Sequence, residues 1–116
     1  NSNRIKLERS IFDLARETIT TNLTSKERVD LISNISGQET REESGKILDI
    51  GAGGLTLLIS GSGDNEFSHV KCDFSSSWKQ RISLLKKDSD IKFIGTVSKY
   101  DLSRQWIVLK DCRFSE

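Results

Sequence analysis

The chain has 116 residues, the size of one domain, of which 34% are hydrophobic and 30% charged. Its 33 Leu, Ile, Val and Phe residues are enough for a small core and exclude a wholly disordered chain, while no apolar run approaches the roughly 18 residues of a membrane helix. The net charge of +1, from 18 basic and 17 acidic residues, lacks the basic excess that phosphate neutralisation demands of a dedicated nucleic-acid binder.

Residues 4–20 have the period of a helix. Leu7, Ile11, Leu14 and Thr18 fall on one stripe, and Ile5, Phe12 and Ile19 on an adjoining one. Two roles fit: a helix packed on the rest of the domain, or a stalk or coiled-coil segment leading upstream. The chain contains no Met, so Asn1 is not a translation start. The expectation is a missing upstream segment: a signal peptide, a membrane anchor or another domain.

Thr24-Ser25-Lys26-Glu27 is a capping box. It predicts a short structural helix over 25–35, with Val29, Leu31, Ile32 and Ile35 on its apolar face and Gly37 as its stop. Beyond Gly37 the period changes from helical to alternating. Residues 39–50 read as a long first strand that bends or bulges at Gly45. Gly51-Ala52-Gly53-Gly54 is a turn. It lacks the GKS/T or GxGxxG continuation of a phosphate loop.

Leu55–Ser60 is the second strand, Gly61–Asn65 the second turn, and Glu66–Phe74 the third strand. In that strand Val70, Cys72 and Phe74 share one face, and Phe67, His69 and Lys71 the other. Ser75–Ser77 caps a helix from Trp78 to about Lys86, and Asp88-Ser89-Asp90 ends it. Ile91–Lys99 is the fourth strand, interrupted at Gly95, and Gln105–Phe114 the fifth. The order β-β-β-α-β-β, with glycine bends in strands one and four, predicts an all-β core with added helices. The matching architecture is a five-stranded Greek-key OB-fold barrel, preceded by one or two N-terminal helices. The expected division is a helical segment over 1–36 and the barrel over 37–116.

Several segments resemble the tRNA_anti-like OB-fold family: Gly45–Ile50, Val70–Phe74, Leu84–Val97 and Ile107–Cys112. They match a strand with a bending glycine, a V-x-C-x-F third strand, a helix-to-strand junction and a closing L-x-x-C strand. The likeness covers about 28–116, and Ser89-Asp90 stands where the family often has Gly-Asp. These motifs mark bends, core positions and turns rather than chemistry. The resemblance implies nucleic-acid-binding ancestry, and some members look like exported or lipid-anchored bacterial proteins. Fold alone does not fix function.

An OB barrel binds through strands two and three and the loops beside them, offering aromatic platforms within a basic groove. The candidates are Phe67 and His69 for stacking, Lys71 for phosphate, Trp106 if it faces outward, and Lys92, Lys99 and Arg104 for added charge. Each has a plainer alternative. Phe67 can pack under helix 4–20 or at the barrel rim, Trp106 can plug the core or rim, His69 and Lys71 can be solvated, and Trp78 can cap the barrel. Glu66 and Asp73 would repel phosphate. Cys72 and Cys112 fall on adjacent strands, as buried free thiols or as a disulfide. With one His and no metal-ligand spacing, neither a metal site nor an enzymatic one is expected, and no cofactor. Asn22-Leu23-Thr24 and Asn34-Ile35-Ser36 match glycosylation sequons, a pattern common by chance. Two functions remain: a non-enzymatic module binding single-stranded DNA or RNA, or a protein-interaction or accessory module of a larger protein that is membrane-anchored or exported.

Overall fold

The computed structural model describes residues 5–115. Five strands, β1 (Glu43–Ile50), β2 (Thr56–Ser60), β3 (His69–Phe74), β4 (Asp90–Asp101) and β5 (Trp106–Phe114), close into a barrel in the order β1-β2-β3-β5-β4. All neighbouring pairs are antiparallel except β3 and β5. Closure gives each of the five strands two neighbours, which is how a small sheet limits edge-to-edge association. Three helices accompany it: α1 (Ile11–Thr20), α2 (Ser25–Ser33) and α3 (Lys79–Ser83).

α1 starts seven residues later than its periodicity predicts; Arg4, where that pattern begins, lies outside the described residues. Residues 5–7 run beside Glu39, with Leu7 N donating to Glu39 O and Glu39 N to Ile5 O, both at 2.8 Å. Ser10 then caps the helix by accepting from Phe12 N. The buried Glu43 carboxylate reaches the same end, accepting from Ile11 N at 2.9 Å and Ser10 Oγ at 2.8 Å. Burial pushes the Glu43 carboxyl above its usual range, and these two hydrogen bonds partly oppose the shift. Ile11, Phe12, Leu14, Ala15 and Thr18 are buried, and Phe12 meets Phe93 edge-on with ring centroids 5.9 Å apart. α1 is therefore packed on the barrel. The capping box of α2 forms as the sequence predicts, with Thr24 and Glu27 exchanging hydrogen bonds.

The strand bounds differ from the periodicity in two informative places. The predicted irregularity at Gly45 is not a bulge; β1 bulges between Ile47 and Asp49. Gly45 is instead a close approach, since a Cβ there would stand 2.4 Å from Ile59 Cγ2 and 2.7 Å from the Ser60 carbonyl. Gly95 does lie in a bulge, between Ile94 and Thr96, and its missing Cβ makes room for Cys112 Sγ. The predicted third strand is too long: Glu66 and Phe67 belong to the β2–β3 loop. A short 3-10 turn over Gly63–Asn65 and the Ser68 N to Asn65 O bond pull them out of the ladder. α3 is likewise shorter than predicted, following a 3-10 turn at Ser76–Trp78 and ending before Leu84.

Trp78 packs edge-on against Phe114, whose ring also stacks on Phe74. Leu7, Ile11, Phe12 and Ile32 belong to the same apolar cluster as the barrel interior. Cys72 and Cys112 are buried free thiols in that interior. Burial, with Cys112 as a neighbour, pushes the Cys72 thiol up.

Candidate functional site

Strand register places the candidate residues. On β1 and β4, Lys46 lies opposite Asp90; across β1 and β2, Lys46 lies opposite Ser60; across β2 and β3, Ser60 lies opposite His69. Val70 is level with Ile107 in the parallel β3–β5 pair, which puts His69 and Trp106 side by side one residue earlier. One row thus crosses all five strands on the outer face: Asp90, Lys46, Ser60, His69, Trp106. Four steps at about 4.8 Å give it a length of about 19 Å along the curved surface. Continued from Trp106 it meets β4 again at Asp101, eleven residues beyond Asp90. That offset is the stagger a closed, tilted barrel requires.

A groove of about 740 Å³ lies along the β1–β2–β3 part of this row. Ser60, only 4% exposed, is at its base. Lys46, His69, Glu66, Phe67 and Asp90 also line it. Phe67 is 77% exposed, so the expected alternative of packing under the N-terminal helix or at the rim does not hold. Its place in the loop, off strand β3, is what frees the ring. His69 is half-buried, and burial lowers its pKa below the usual 6.5, which keeps the imidazole neutral at pH 7.

Lys71 sits in the next row, between Leu58 on β2 and Val108 on β5. Trp106 is half-buried at the start of β5 and carries Arg104 over its ring, the guanidinium carbon 5.1 Å from the centroid. The β4–β5 turn holds that arginine in place. Asp101 Oδ1 accepts from Ser103 Oγ at 2.9 Å and Arg104 N at 3.3 Å, and Gln105 N donates to Asp101 O at 2.7 Å. The Ser103 hydroxyl first, and the backbone donors after it, keep the Asp101 carboxyl below its usual range. Lys92 is exposed and lies opposite Ser44. It lines a second groove with Arg81 and Phe114, apart from the other candidates. Lys99 is opposite Val108, one strand beyond Lys71.

The structure therefore brings Phe67, His69, Lys71, Arg104 and Trp106 to one face and sets Lys92 aside. Lys46, Ser60 and Asp90 escaped the sequence reading. Alternation with Ile47 already marks Lys46 as outward-facing, but only register shows that it is level with His69. Among the described residues, no group of three or more His, Cys, Asp or Glu side chains is placed to hold a metal ion.

No protein-family model matches this chain, and no curated protein matches it. A crystal structure from Klebsiella pneumoniae, of a protein described as a "putative nucleic acid-binding lipoprotein", has a similar fold. The two share 14% sequence identity at a TM-score of 0.61, over 99% of this chain and 94% of that one. Identity that low makes this a likeness of fold.

Proposed function

We propose that the barrel is an OB fold, related to the tRNA_anti-like family, that acts as a non-enzymatic module binding single-stranded DNA or RNA across its β1–β2–β3–β5 face. In this reading residues 37–116 are the binding barrel and 1–36 its helical lead-in. The observation that carries it is the transverse row. His69 and Trp106 stand side by side, with Phe67 exposed on the loop before His69 and Arg104 fixed over Trp106 by its own turn. Aromatic faces beside flexible cations are what an unpaired strand needs, because every base has a π-face and every linkage a charge. The strand order and the helix between β3 and β4 fit the OB barrel. The described function of the Klebsiella protein supports the same reading by analogy of fold.

The test is fluorescence anisotropy of labelled single-stranded DNA and RNA at low and near-physiological salt. Saturable binding that weakens with salt and is weakened further in Phe67→Ala or Lys71→Ala is the expected result. No binding at low salt sinks the proposal and leaves the protein-interaction reading.

A further inference from the structure

The groove along the outer row contains two groups that a purely phosphate-binding face would exclude. Asp90 begins the row, and Glu66 stands beside Phe67 on the loop above it. Both carboxylates are exposed and line the groove, and neither side chain is hydrogen-bonded or ion-paired to another described residue. Their proper partner is a set of N–H donors, since a carboxylate only accepts. Among the four common bases, guanine alone presents two adjacent parallel donors, N1–H and the N2 amine, matched to the two carboxylate oxygens. Adenine, cytosine and thymine (or uracil) each set an acceptor lone pair beside their donor, which the carboxylate repels.

The remaining walls suit the same ligand. The exposed Phe67 ring offers a stacking face, and Lys46, level with Asp90 across β1 and β4, offers a cation to guanine O6 or the adjoining phosphate. The groove volume of about 740 Å³ accepts a base with its sugar. We infer that this groove is a guanine-selective subsite, in which Phe67 stacks the base while one carboxylate of the groove, Glu66 or Asp90, accepts from N1–H and the N2 amine. The inference rests on the nucleic-acid reading of the row.

Alternating oligonucleotides of equal length, in which thymine is paired in sequence with guanine, inosine, adenine or cytosine, separate the two ideas. The guanine strand should bind roughly 5- to 150-fold more tightly than the adenine and cytosine strands, the range of one good bidentate base contact. Inosine lacks only the N2 amine, and its strand should fall between. In the Glu66→Gln/Asp90→Asn double variant the preference should vanish, while affinity for the adenine strand stays level or rises, because two negative charges have left the path of a polyanion. Equal binding of all four strands, or a guanine preference that survives in the double variant, overturns the subsite and leaves nucleic-acid binding standing. Failure of every strand to bind overturns the wider reading with it.

Discussion

Replacing Lys71 by Gln should change the salt dependence of binding more than the fold. Lys71 is half-buried between Leu58 and Val108 and has no ion pair among the described residues, so Gln keeps most of the stem packing and removes one charge. Three cations stand on or beside the row: Lys46, Lys71 and Arg104. For a single strand, each phosphate neutralised adds about −0.7 to the slope of log K against log salt, so three contacts give a slope of about −2.1. Raising salt fourfold, from about 50 to 200 mM, then weakens binding about 18-fold. With Lys71 gone the slope becomes about −1.4 and the same rise costs about 7-fold. Anisotropy titrations across a salt series measure both slopes directly. A Lys71→Gln slope equal to that of the parent, or a parent slope near zero with binding intact, refutes the placement of phosphate along this row.

Other expectations follow from the same geometry. Phe67→Ala should cost about 1–3 kcal/mol of binding, the worth of one base–aromatic stack. Its melting temperature should be unchanged, because the ring is 77% exposed; a parallel loss of stability means the ring is packed. His69, held neutral by burial, should leave affinity flat above about pH 7, and His69→Phe should retain binding that His69→Ala loses. Glu43 has a raised pKa when folded, so the native state takes up its proton at a higher pH than the unfolded chain. Its contribution to stability is largest when protonated and falls as pH rises through the window just above 4.5. The stability difference between parent and Glu43→Gln, from urea titrations across that window, should shrink with rising pH; a difference that grows contradicts this. In Gly95→Ala the new Cβ would meet Cys112 Sγ at 2.7 Å, an overpacking cost of about 1–3 kcal/mol. Part of it should be recovered in the Gly95→Ala/Cys112→Ala double variant, read as a coupling in a double-mutant cycle.

The order of elements was legible because local signals agree with one another. Alternation at Val70, Cys72 and Phe74 marks a strand face, the Thr24–Glu27 box marks a helix start, and the glycines punctuate turns. What the sequence hides is decided by partners distant in the chain. Ile5 and Leu7 fit a helical stripe, yet their backbone groups pair with Glu39, and periodicity has no access to that competition. Phe67 fits an alternating strand face, yet the Gly63–Asn65 turn lifts it from the ladder. The glycine at 45 signals an irregularity without saying which kind, because a bulge and a close approach both exclude a side chain. The site was legible as a set of residue types on two strands. That Lys46, Ser60, His69 and Trp106 form one level depends on the stagger of the whole barrel, a property of closure that no single segment carries.

Net charge is a poor guide to such a face, and the ion pairs show why. Lys6 and Arg113 lie on Glu39, Arg9 on Glu17, Arg16 on Asp64 and Lys26 on Asp30. Those pairs take up acids and bases around the helices and the back of the barrel, while Lys46, Lys71 and Arg104 enter no ion pair among the described residues. Screening over about 10 Å at 0.1 M salt confines what a strand experiences to this local set. Locally, three cations stand against the carboxylates of Glu66, Asp90 and Asp101, a balance too even for affinity built on phosphate alone. Binding on this face has to draw on the bases, through the rings of Phe67, His69 and Trp106 and the acceptors at the groove, so its salt dependence should be shallow and its dependence on base identity steep.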